Sequence, residues 1–82
     1  MEREELETKV VAAIAEMQHR SPESITLDSS FEELGIDSLS GFDLLCELEE
    51  NLGVDIPDDD AREIATVRDV VDCVGPLVAT PG

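Results

Sequence analysis

A chain of 82 residues holds one small domain with one modest core. Its net charge of −16, from 21 acidic and 5 basic residues, disfavours binding to nucleic-acid phosphates or an anionic membrane and makes a basic protein the natural partner. Trp and Tyr are absent and only two Phe occur, so the core must be aliphatic, which favours packed helices over a β-sandwich.

The first predicted element is a helix from Glu2 to His19. Leu6, Val10, Ile14 and Met17 recur at three- and four-residue steps, with Val11 widening the stripe. Glu2, Glu4 and Glu5 complement the dipole of the first turn. Arg20-Ser21-Pro22 stops the helix, because Pro22 biases Ser21 away from helical backbone. From Ser21 to Asp37 the chain reads as a long loop, a feature that is often functional in so small a domain. Ile25, Leu27, Phe31 and Leu34 are its apolar anchors, and a helical turn over Phe31 to Leu34 is capped by Ser29 or Ser30.

Asp37 is a suitable N-cap for a second helix, Ser38 to Asn51 or Leu52. Its apolar residues fall on two faces. Leu44, Leu45, Leu48 and Leu52 share about 100° of arc and form the core face. Leu39, Phe42 and Cys46 lie on roughly the opposite side among Asp43, Glu47, Glu49 and Glu50. They form either an interface ridge or, for Leu39 and Phe42, a support for the preceding loop. Gly53 is the C-cap candidate, Val54 to Pro57 an extended connector, and Ile56 a core anchor. Asp58 is placed as N-cap of a short helix, Asp59 to Ile64. Thr66-Val67-Arg68-Asp69 resembles a capping box, with Asp at the fourth place, and opens a last helix carrying Val67, Val70, Val71 and Val74. Gly75-Pro76 is expected to end or kink it, and Thr80 to Gly82 to fray. The expected fold is all-α: a small four-helix bundle of three main helices and one short one, with a long first loop, forming a single domain over residues 1–82.

Ser38 sits where a Gly-containing loop passes into an amphipathic helix, in Leu34-Gly35-Ile36-Asp37-Ser38-Leu39. No histidine or lysine is near in sequence to activate it. A hydroxyl presented this way suits being modified, and a helix N-terminus favours an attached anion. It is not in a Gly-x-Ser-x-Gly elbow, which disfavours a hydrolase.

The same six residues resemble the attachment motif of the acyl carrier protein family. The resemblance continues through Leu44, Leu48-Glu49-Glu50, Val54-Asp55-Ile56-Pro57 and Ala65-Thr66-Val67, and covers nearly the whole chain. It implies that Ser38 receives 4′-phosphopantetheine from coenzyme A through a separate phosphopantetheinyl transferase, with Asp37 and Leu39 as its neighbours in the motif. The arm's thiol would then hold an acyl thioester, in fatty-acid, polyketide or related biosynthesis, and the carrier itself would catalyse nothing. Two features depart from fatty-acid carriers. The Phe31 to Gly35 stretch is one residue tighter and looks more like carriers of polyketide and related assembly lines. Ser40-Gly41 replaces an acid and a bulkier residue, and Gly41 costs about 0.5–1 kcal/mol against Ala inside a helix while permitting close approach of a partner or of the arm.

Further partners are implied with it: acyl-transferring, condensing or modifying enzymes with basic docking surfaces, meeting Leu39, Phe42, Asp43, Cys46, Glu47 and Glu50. Between Asp28 and Glu63 there are 13 acids and one base, Arg62. That self-repelling stretch surrounds Ser38, as a docking site for a basic partner would, although acidic surfaces also serve solubility alone. Cys46 and Cys73 show neither zinc spacing nor a CxxC pair, and His19, at a helix end, reads as a dipole complement. No transition-metal site is expected. Asp55 and Asp58 to Asp60 lack the Gly and terminal Glu of a calcium loop. With no signal peptide, transmembrane run or targeting tail, the expectation is a reduced, cytoplasmic monomer. The alternatives are an acidic interaction module without a prosthetic group, acting through the Leu39/Phe42/Cys46 ridge, and a weak calcium-binding bundle.

Overall fold

In a computed structural model that describes residues 2–78, the chain forms four α-helices: α1 Arg3–Gln18, α2 Ser38–Leu52, α3 Asp58–Glu63 and α4 Val67–Val78. A 3-10 turn at Pro22–Ser24 interrupts the first loop. Among the described residues there is no strand, only one antiparallel bridge between Ser30 and Thr66. The body measures 35 × 25 × 20 Å.

α1 packs on α4 and α2 because each offers one aliphatic face. Leu6, Val10 and Ile14 meet Val67, Val70, Val71 and Val74 and the α2 residues Leu44, Leu45 and Leu48, all buried in one cluster. Val11, Met17 and Leu52 sit half-buried at its margin. Among the described residues no charged or polar residue is fully buried, so the acids remain at or near the surface.

The element boundaries differ from expectation at several points, Glu2 being the N-cap of α1 and Ile64 the C-cap of α3 rather than helical residues. α1 stops at Gln18, because His19 takes the left-handed conformation (φ 55) as C-cap. The His19 N–H donates to the Glu16 carbonyl at 3.3 Å and the Arg20 N–H to that of Ala15 at 3.0 Å, so the last carbonyls are satisfied before Pro22 is reached. Asp58 is the first residue of α3 and not its cap. Pro57 holds the cap position without a side-chain bond, and Asp58, Asp59 and Asp60 act on the first turn through charge alone. Gly75-Pro76 does not end α4, which continues to Val78. Val71 and Val74, buried ahead of the proline, hold the helix on the core. The expectation for Thr80 to Gly82 lies outside the described residues.

The first loop is tied down rather than loose. Ile25, Leu34 and Ile36 are buried, and Leu27 and Phe31 half-buried. The Phe31 N–H donates to the Ala65 carbonyl at 2.8 Å, the Val67 N–H to Ser29 at 3.0 Å and the Arg68 N–H to Leu27 at 2.9 Å. The Arg68 guanidinium also meets Asp28 at 2.8 Å. The turn over residues 31–35 is capped by Ser30, whose Oγ accepts the Glu33 N–H at 3.0 Å. Gly35 closes it with φ 74, a conformation that costs a side-chain-bearing residue more. The loop therefore delivers Asp37 to the start of α2 on a fixed backbone.

Candidate functional site

Ser38 is the first residue of α2 and is exposed. Its neighbour Asp37 has extended backbone, and its Oδ1 accepts the Ser40 N–H at 2.8 Å, which is the N-cap bond read from the sequence. That N–H is the main reason the Asp37 carboxyl lies below the ordinary carboxylate range, with the Ser40 hydroxyl and the Leu39 N–H adding to it. Asp37 is thus committed as a carboxylate to the helix end. No histidine or lysine lines the space around Ser38. The arrangement presents a hydroxyl and does not activate one.

Beside Ser38 opens a cavity of about 590 Å³ between the first loop, α2 and α3. Phe31, Ile36, Leu45 and Ile64 supply apolar lining, Gly41 a wall without a side chain, and Arg62 the one cation. Gly41 is buried. A Cβ built there falls 3.6 Å from Ile36 Cγ2 and 3.6 Å from the Phe31 ring. The close approach that Gly41 allows is therefore first to its own loop. Sequence reasoning did not find this cavity. Its walls come from three separate stretches, and the only trace of it in the sequence is the lone base, Arg62, in an acidic stretch.

The two faces of α2 separate as the helical spacing required. Leu44, Leu45 and Leu48 are buried, whereas Leu39 is 72% exposed, Phe42 57% exposed and Cys46 exposed. Asp43, Glu47 and Glu50 are exposed on the same helix. Leu39 does not pack beneath the first loop. Phe42 does so only in part, its ring lining the cavity while more than half of the residue faces solvent. Cys46 and Cys73 are free thiols, and burial pushes the Cys73 thiol up. Among the described residues no three His, Cys, Asp or Glu side chains converge on a point that would hold a metal ion, so Asp55 and Asp58 to Asp60 form no such set. No helix among them is long and apolar enough to cross a membrane.

The residues at the α2 start fit 4′-phosphopantetheine. Ser38 is accessible for a phosphodiester, the helix end faces it, and an open, largely apolar cavity adjoins it. Comparison with known proteins agrees. Residues 8–74 match the family model described as a phosphopantetheine attachment site. The chain is 44% identical over 70 residues to an acyl carrier protein of Rickettsia bellii, covering 84% of this chain and 81% of that one. It is 40% identical over 80 residues to an acyl carrier protein of Thermosynechococcus vestitus, covering 96% and 99%. The crystal structure of an acyl carrier protein from Thermotoga maritima superposes with a TM-score of 0.81 at 31% identity, covering 95% of this chain and 92% of that one. The four-helix order, the capped serine at the start of α2 and these likenesses agree: the chain belongs to the acyl carrier protein family, whose prosthetic group is a covalent 4′-phosphopantetheine.

Proposed function

We propose that Ser38 is the attachment residue and that this chain carries acyl groups from enzyme to enzyme in fatty-acid, polyketide or related biosynthesis. The observation that carries the reading is the exposed Ser38 hydroxyl at the capped start of α2, within the matched family region. When attached, the arm supplies a thiol that holds the acyl group as a thioester, and its length and flexibility raise the effective concentration of that group at each partner. The chain's own residues do the rest. Asp37 fixes the helix end on which Ser38 rides. Phe31, Ile36, Leu45 and Ile64 offer apolar surface to the cargo between encounters. No group beside Ser38 is arranged for catalysis, so the phosphopantetheinyl transferase must form the Ser38 Oγ–phosphorus bond.

The same reading gives the exposed α2 ridge to partners. Leu39, Phe42 and Cys46 present apolar surface, and Asp43, Glu47 and Glu50 surround it with negative charge. A basic docking surface on the transferase, or on an acyl-transferring, condensing or modifying enzyme, complements both features. With that face left open for partners, the carrier acts as a monomer.

Intact-mass measurement after incubation with coenzyme A and a broad-range transferase tests the assignment. The wild-type chain gains one arm and Ser38→Ala gains none while keeping its helical circular dichroism. Loading of the Ser38→Ala chain at Ser40 would overturn it.

A further inference from the structure

Arg62 is the only basic residue between Asp28 and Glu63, among 13 acids. A lone cation in that company would be expected to pair with a neighbouring carboxylate. Arg3 does so with Glu7 and Asp72, and Arg68 with Asp28. The exposed Arg62, like Lys9 and Arg20, makes no ion pair among the described residues, although Asp58, Asp59, Asp60 and Glu63 share its helix. It lines the cavity that Ser38 also lines, and is the only cation there. The other charged residues of the lining are Asp37, whose carboxylate is committed to the α2 cap, and Asp58.

We propose that Arg62 binds a singly charged oxyanion brought to the cavity by the arm. The inference rests on Ser38 being the attachment residue. A guanidinium suits this task, because its planar fork pairs with two oxygens of a phosphate or carboxylate at once. The tether keeps any anion it bears at high local concentration. Two sources offer the same chemistry: the phosphodiester of the arm, and a carboxylate at the far end of the acyl cargo. An apolar cavity with one guanidinium would hold a chain ending in a carboxylate differently from one ending in a methyl group.

The test uses the full chain labelled with nitrogen-15, following the Arg62 Nε–H resonance through three forms: without the arm, with the arm, and with the arm loaded by acyl groups of equal length ending in methyl or carboxylate. Intact mass records separately whether the arm is on Ser38, so failure of attachment is not confused with silence at Arg62. If the phosphodiester is the ligand, the Arg62 resonance moves when the arm is attached while those of Arg20 and Arg68 stay in place. The phosphorus-31 resonance of the arm then shifts in Arg62→Gln and is only partly restored in Arg62→Lys, which keeps the charge without the fork. If the cargo is the ligand, the Arg62 resonance moves only with the carboxylate-ended chain, and Arg62→Gln abolishes the difference between the two cargoes in the resonances of Ile36 and Ile64. An Arg62 resonance that stays in place in every form overturns the proposal.

Discussion

The Asp37 carboxylate and the Ser40 N–H, 2.8 Å apart, close a bond over the two residues between them, so Ser38 is positioned by the helix cap itself. Removing the cap should loosen the first turn of α2 and with it the direction of Ser38. Asp37→Ala is expected to lower the melting temperature and slow arm transfer, with Asp37→Asn restoring most of both, since an amide oxygen also caps. The Asp37 carboxyl is held below its ordinary value, so its contribution is complete above the ordinary carboxylate range and disappears as pH falls through the lowered value. Melting curves of wild type and Asp37→Ala should therefore draw closer at acid pH, down to the share that an uncharged cap oxygen retains. A constant gap down to that range would assign the effect to something other than the ionised cap.

Gly41 is open to a single-residue test. A methyl group there meets Ile36 and Phe31 at ordinary contact distance, and alanine favours the helix by about 1 kcal/mol over glycine. Gly41→Ala should raise stability to urea by up to that amount. Gly41→Leu should lower it, because the longer side chain must displace the Phe31 ring or fill the cavity. Loss of stability in Gly41→Ala would show that the wall cannot accept even a methyl group.

The start of α4 depends on three bonds, two of them reciprocal between Thr66 and Asp69. The Asp69 N–H donates to Thr66 Oγ1 at 3.2 Å, and Asp69 Oδ2 accepts the N–H groups of Thr66 at 3.1 Å and Ala65 at 3.0 Å. Thr66→Ala should cost about 1 kcal/mol, the usual loss for a cap. Asp69→Ala should cost more, since two N–H donors lose their acceptor. The Ala65 N–H, foremost, holds the Asp69 carboxyl below its ordinary value. The Asp69 contribution is accordingly present above the ordinary carboxylate range and lost as pH falls through the lowered value. Denaturant titration of both variants at neutral and acid pH measures this.

The acidic surface should show itself in two ways. Added salt should raise the melting temperature by screening repulsion within residues 28–63, and calcium should do so more than sodium at matched ionic strength, because a divalent ion bridges two carboxylates. The same salt should weaken transferase binding. Asp43→Asn, Glu47→Gln and Glu50→Gln should each lose about 0.2–1 kcal/mol of binding, and the triple variant a clearly measurable sum. Affinity that is flat across a wide salt range would argue against electrostatic docking on α2.

Local regularities made most of this molecule legible in its sequence. Three- and four-residue apolar spacing gave α1, α2 and α4, and cap chemistry gave Asp37, Gly53 and the Thr66/Asp69 box, while the structure chose Ser30 over Ser29 as the cap of the loop turn. The two faces of α2 followed from helical geometry, which fixes angular position without reference to the rest of the fold. Ser38 stood out because its neighbours in sequence are also its neighbours in space. Other features depended on tertiary context. Pro76 lies within α4, whose buried Val67, Val70, Val71 and Val74 fix the helix on the core ahead of it. His19 ends α1 through a left-handed backbone that propensity alone does not require. Gly41 proved to be buried because the first loop lays Ile36 and Phe31 against it. The cavity joins residues from the first loop, α2 and α3, and Arg62 meets Ser38 across it only once those three are packed. Sequence periodicity specifies which side of an element is apolar. Only packing specifies what that side faces, because contacts between residues distant in the chain depend on how the helices are arranged.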